Sequence, residues 1–338
     1  MEQIAVKQPG EGTGTARDYL FDNLRAILII LVVWGHLLTS MMGESDVIKS
    51  IYYFIFFFHM PAMTFVSGYF SKNLEKVRSN AFVTILIPYV ILNILNYSYK
   101  VLVIKESLSG FKLLRPYWGL WYLLALFLWK FFLKDLVKIR FLLPLSFIIA
   151  LLSGFSSEFA DYMALGRTIC FFPFFLLGYY CTKEHVERIR KIPRVFSYIA
   201  IVVVGGLSTY IVYQDIFKVE VLYLRRPYPE DIKLKSMLFR CLVYVIAIIM
   251  ILVLTNVMTA RRTFLTKVGA STMTVYILHL FTIPLLEKYE ILKDKPYWYL
   301  LYSVLMTALI TFLYTRPIVK RIYDGFIDFL TGIIVKEN

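Results

Sequence analysis

Apolar residues in this chain come in long runs, and polar residues gather in short clusters between them, from Phe21 nearly to the C-terminus. A helix needs about 20 mostly apolar residues to cross the hydrocarbon core of a bilayer. On that rule the chain predicts about ten spans, over 22–42, 48–70, 81–103, 118–134, 141–156, 165–182, 196–214, 237–258, 269–287 and 297–316. The fourth and fifth are short and closely joined; merging them would put the termini on opposite sides. The expected fold is an all-α polytopic membrane bundle with both termini cytoplasmic. It divides into a disordered tail over 1–17, one transmembrane domain over 18–325 and a short C-terminal tail over 326–338.

Composition agrees. Hydrophobic residues make up 59% of the 338 residues and mean hydropathy is +0.67, against about 45–50% apolar in a soluble domain. No polar stretch is long enough for a second, soluble domain. The net charge of +14 does not indicate nucleic acid, because the basic residues lie in the clusters between apolar runs, where membrane anchors belong. With the N-terminus inside, most Lys and Arg fall on the cytoplasmic side, including Lys72, Lys76, Arg78, Lys183, Arg188, Arg261, Arg262 and Lys267. Cys170, Cys181 and Cys241 lie in or beside apolar segments and read as membrane-buried thiols, not as a disulfide or metal site. Gly10, Gly12 and Gly14 follow no strand and precede no Lys-Ser/Thr pair, so no phosphate loop is expected there.

Polar side chains inside apolar runs carry the chemical signal, since each costs roughly 2.5–3.5 kcal/mol to insert. His36, His59 and His279 are so placed; His185 falls in a loop. Arg25 precedes His36 by eleven residues, about 16 Å along a helix and about three turns, so the two share a face. Asp22 stands three residues before Arg25 and can pair with it. The plainer alternative makes Asp22 and Arg25 interfacial, with the arginine snorkelling outward. His59, followed by Pro61, Ser67 and Gly68, serves cross-helix hydrogen bonding as readily as chemistry, and so does His279. Tyr117, Trp118, Trp121 and Tyr122 read as an aromatic belt at the outer interface.

These residues, taken in order, resemble the acyltransferase-3 family of membrane O-acyltransferases. Arg25, ten intervening residues and His36 are similar to that family's Arg-X10-His signature, and Phe58-His59-Met60-Pro61 with Ser67-Gly68-Tyr69 to its second-helix motif. Ile87-Pro88-Tyr89, Leu120-Trp121-Tyr122-Leu123, Phe172-Pro173-Phe174 and Tyr276-Ile277-Leu278-His279 follow in the family's order. The resemblance covers roughly 18–316, and the compact form is most similar to the fucose 4-O-acetylase-like branch. It implies a ten-helix bundle, acetyl-CoA as cytosolic co-substrate with no bound cofactor or metal, and a glycan hydroxyl as acceptor. The expected setting is the bacterial plasma membrane, and the acceptor a capsule, exopolysaccharide or lipid-linked sugar. Larger members carry an appended extracytoplasmic domain, which is not expected here.

On this reading His36 is the expected base, with Arg25 and Asp22 at the donor's entrance. His59, Ser67, Trp121, Tyr122 and His279 are supporting candidates. Lys76, Arg78, Arg261, Arg262 and Lys267 are candidates for the donor's phosphates, although cytoplasmic anchoring explains each of them alone. The rival class is a proton-coupled transporter, which buried His and Arg would also suit. No inverted repeat or pair of broken helices is visible in the sequence to favour it.

Overall fold

The computed structural model describes residues 19–107, 113–157, 162–292 and 294–335, and every regular element among them is helical. The tail over 1–17 and its glycines lie outside the described residues. The helices are α1 Leu20–Leu38, α2 Asp46–Tyr69, α3 Leu74–Ala81, α4 Ile87–Tyr99, α5 Trp121–Leu136, α6 Leu142–Leu152 and α7 Leu165–Tyr180. They continue as α8 Lys183–Lys191, α9 Arg194–Tyr213, α10 Lys233–Val257, α11 Phe264–Ala270, α12 Thr272–Glu287, α13 Pro296–Tyr314 and α14 Pro317–Ile334.

Each expected span corresponds to a helix. Among the described residues, 7 are long and apolar enough to cross a membrane, and α11 with α12 makes an eighth if the bent pair is one span. The segment Leu142–Phe155 is a shorter apolar helix. The fourth and fifth segments are separate helices, divided where Phe141 takes a left-handed backbone conformation. The chain is a multi-pass membrane protein.

Two expectations about the elements need correction. The segment 269–287 is not one straight helix: α11 and α12 meet at a 73° bend. At the bend Gly269 lies so close to α1 that an added Cβ would come within 1.9 Å of the Asp22 carbonyl oxygen. The backbone therefore turns against α1 instead of running on. The tail boundary at 326 also falls inside α14, an amphipathic helix that turns Tyr323 and Ile327 inward and Ile318, Ile322 and Phe329 outward. Its polar residues on alternate turns hide it from a search for uniformly apolar runs.

α1 is the centre of the bundle, packed by α2, α11, α12 and α13. α2 and α7 cross with backbones touching. A Cβ on Gly68 would meet the Phe175 oxygen at 1.9 Å, and one on Gly178 would meet the Phe65 oxygen at 1.9 Å. Small residues drive such close helix packing in lipid. Beyond the crossing Lys72 donates to the Gly178, Tyr179 and Cys181 carbonyls at the C-terminus of α7, where a cation complements the helix dipole.

The same end of the bundle is fastened by Asn23, which is 0% exposed. Its Nδ2 donates to the Thr259 and Arg261 carbonyls at 2.8 and 2.9 Å, and its Oδ1 accepts from the Thr263 and Thr266 hydroxyls at 3.0 and 2.8 Å. All four hydrogen-bonding positions of the amide are used. The start of α1 is thus locked to the segment that leads into α11. The opposite end is held by Tyr53 donating to the Phe217 carbonyl, Tyr299 to that of Leu37 and Tyr228 to that of Leu151.

Candidate active site

At that opposite end, below the connection between α9 and α10, lies a cavity of about 250 Å³. Val32, His36 and Thr39 of α1 form one wall, and Tyr52, Phe56 and His59 of α2 another. Trp118, Trp121, Arg167 and Tyr276 complete it, with Leu222, Tyr223 and Arg225 contributed by the covering loop. Three local devices bring these side chains together.

The first device is the close approach of α1 and α2. A Cβ on Gly35 would fall 2.9 Å from the Phe56 ring, so glycine lets Phe56 press against α1 one residue before His36. Phe56 stacks on Tyr52 at 3.8 Å between centroids and meets His59 edge-on at 4.5 Å.

The second device is the strap before α5. Tyr89, buried on α4, donates to the Leu113 carbonyl at 2.7 Å, and Asn93 Oδ1 accepts the Tyr117 N–H at 3.2 Å. Tyr276 of α12 donates to the Gly119 carbonyl. So held, Trp118 adopts a positive φ of 37° and lies 4.2 Å from the His36 ring, centroid to centroid. A positive φ at a bulky residue persists only where its surroundings over-determine it.

The third device fixes two imidazoles. His59 Nδ1 bonds the Ile55 carbonyl at 2.9 Å, and His279 Nδ1 bonds that of Val275 at 3.1 Å. A carbonyl only accepts, so in each neutral ring Nδ1 carries the proton and Nε2 the lone pair. The His279 ring lies 5.1 Å from that of His36. Nδ1 of His36 and Nε2 of His279 are buried and have no hydrogen-bond partner among the described residues. His36 itself is only half-buried and opens to the cavity.

The expected site residues divide between the two ends of the bundle. His36, His59 and Trp121 line the cavity, and His279 backs it. Ser67 and Tyr122 do not line it: their hydroxyls bond each other at 2.7 Å and tie α2 to α5. Trp118 and Trp121 face the cavity, not an outer aromatic belt, because the strap folds inward. Arg25 lies at the far end, paired with Asp22 and 5.4 Å from the Phe70 ring. Ile29 and Val32, 0% and 3% exposed, fill the shared face of α1 between Arg25 and His36. Lys76, Arg261, Arg262 and Lys267 are exposed at that far end. Arg78 there pairs with Asp135 at 2.8 Å and stacks over Phe131.

Arg167, Arg225, Tyr52, Tyr223 and Tyr276 also line the cavity, beyond the site residues expected from the sequence. Arg167 carried a readable signal, a guanidinium two residues into an apolar run. Arg225 carried none, because nothing in a long loop tells which side chain will fold inward. The Tyr52 and Tyr223 hydroxyls bond each other at 3.0 Å, and burial pushes the Tyr223 phenol above its ordinary pKa, so it stays neutral.

Comparison with curated proteins and with solved structures finds no match. The pattern of the acyltransferase-3 family, described as an acyltransferase domain, matches residues 18–315. A match over most of the chain places Arg25, His36 and the whole cavity inside that domain, and the chain belongs to the acyltransferase-3 family of membrane acyltransferases.

Proposed function

We propose that the protein is an O-acetyltransferase that moves an acetyl group from cytosolic acetyl-CoA to a hydroxyl of an envelope glycan. The observation that supports this best is the placing of His36, a partly buried imidazole that faces the cavity with His279 behind it. In the reaction the acceptor hydroxyl oxygen attacks the thioester carbonyl carbon while His36 takes the hydroxyl proton. The carbon–sulfur bond breaks, and the leaving thiolate takes that proton from the imidazolium, giving an acetyl ester and free coenzyme A. A positioned base of this kind contributes about 10²–10⁴-fold.

The donor enters past Arg25, whose planar guanidinium suits phosphate or amide oxygens. Lys76, Arg78, Arg261, Arg262 and Lys267 supply positive charge at the same end for the nucleotide. Ile29 and Val32 must move aside for the thioester to reach His36. The acceptor enters from the other end, beneath the loop that carries Tyr223. The setting is a bacterial plasma membrane with both termini cytoplasmic, and the acceptor is a capsule, exopolysaccharide or lipid-linked sugar. The resemblance to the fucose 4-O-acetylase-like branch favours a sugar.

The test is mass spectrometry of envelope glycans from cells with and without the gene, paired with coenzyme A release by the purified protein. Loss of an acetyl ester with the gene, and acceptor-dependent release, are expected. Unchanged glycan acetylation together with proton-coupled solute uptake by the purified protein would replace this reading with the transporter.

A further inference from the structure

The cavity contains two cations that the proposed reaction does not use. Arg167 stands in the first turn of α7 and Arg225 in the loop between α9 and α10, and both line the same space as His36. Both side chains face one cavity of about 250 Å³, which His36 also lines. Among the described residues no carboxylate forms an ion pair with either. Glu220 acts on the Tyr223 phenol but pairs with neither arginine. Nε of Arg225 is buried without a hydrogen-bond partner among the described residues.

Two like charges in one small cavity are costly unless a counter-charge joins them. The surrounding structure holds them there nonetheless. Arg167 lies over the Trp121 ring at 4.8 Å, a contact that anchors a guanidinium while leaving its edge donors free. Left-handed backbone at non-glycine residues sets the approach to each arginine, with φ of 51° at Leu224 next to Arg225 and of 51° and 53° at Met163 and Ala164, just before the helix that carries Arg167. Such conformations persist only where the surrounding structure over-determines them.

We infer that Arg167 and Arg225 form a clamp for an anionic group of the acceptor, a carboxylate or a phosphoryl group, which sets a neighbouring hydroxyl against His36. This rests on the proposed function for the word acceptor; the clamp itself is a binding site and can be tested without turnover. Carboxylate and phosphoryl oxygens share the geometry that a guanidinium fork recognises. The first would come from an acidic sugar, the second from a sugar carried on a lipid phosphate.

The test uses the full-length purified protein in detergent. Thermal unfolding is followed with methyl glucuronide, inorganic pyrophosphate or neutral methyl glucoside present. The clamp predicts a rise in melting temperature with at least one of the two anions and none with methyl glucoside. A response to glucuronide assigns an acidic sugar, and one to pyrophosphate a phosphorylated carrier. Arg225→Gln, at a loop position where folding is least at risk, should weaken anion binding about tenfold or more, and Arg225→Lys less. Equal shifts with glucuronide and glucoside would overturn the clamp, as would no shift with either anion, or anion binding undiminished in both Arg225→Gln and Arg167→Gln. In turnover assays Arg225→Gln should raise the acceptor KM and leave the acetyl-CoA KM unchanged. A raised acetyl-CoA KM alone would hand the pair to the donor and also overturn the clamp. Anion binding that needs both arginines in a protein that transfers no acetyl group would sink the proposed function and leave the binding site standing.

Discussion

His36 and His279 face each other with ring centroids 5.1 Å apart, and the carbonyl of Val275 holds the His279 ring so that its Nε2 is the atom free to accept. An imidazole so held can orient a second imidazole without touching substrate. His279 is therefore assigned as a positioning residue. His279→Asn is predicted to lower kcat by about ten- to a hundredfold, less than loss of a base would, with little change in either KM. A kcat equal to that of the wild type would leave His279 a purely structural residue.

Arg25 and His36 share a face of α1 yet are separated by the buried side chains of Ile29 and Val32. If the donor passes this point, bulk at Val32 should block it. Val32→Phe is predicted to cut turnover at least tenfold while coenzyme A binding at the Arg25 end persists, read by calorimetry. Full turnover in Val32→Phe would mean that the donor takes another route.

Arg25→Lys keeps the charge and loses the planar fork. It should raise the acetyl-CoA KM several-fold, and Arg25→Ala should raise it further. Wild-type constants in both variants would make Arg25 an interfacial anchor held by Asp22.

The Gly68–Gly178 crossing predicts a stability effect with no direct catalytic counterpart. An alanine at Gly178 puts a methyl group into the Phe65 carbonyl, and overpacking of this kind costs about 1–3 kcal/mol or more. Gly178→Ala should unfold at a clearly lower temperature than the wild type, whereas Gly205→Ala, with nothing within 4 Å of its added Cβ, should not. Equal melting temperatures would show that the two backbones do not touch.

Much of this was legible in the sequence, and what was not has definite physical causes. Long apolar runs announced a helix in each predicted span, because the bilayer demands length and apolarity. They could not announce the short α3, α8 and α11, or α14, which is amphipathic and carries its charges on one face. His36, His59 and His279 stood out because an imidazole in an apolar run needs a reason, and the fold brings all three to one cavity or its wall. Trp118 read as an interfacial aromatic because its inward turn depends on Tyr89 and Asn93, some 25 residues earlier in the chain. Arg225 was invisible for the same reason: its place is set by where a loop folds back. Asn23 carries no signal of its own in the sequence beside Asp22 and Arg25, although its four hydrogen bonds fix the start of α1.

Acetyl transfer by purified protein in proteoliposomes, with labelled acetyl-CoA on one side and an envelope glycan extract on the other, tests the central claim most directly. Wild-type protein should label the glycan, and His36→Ala, folded to the same melting temperature, should fall at least about a hundredfold below it. A His36→Ala protein that kept more than about a tenth of wild-type transfer would contradict the account, because no base worth 10² or more could then reside at His36.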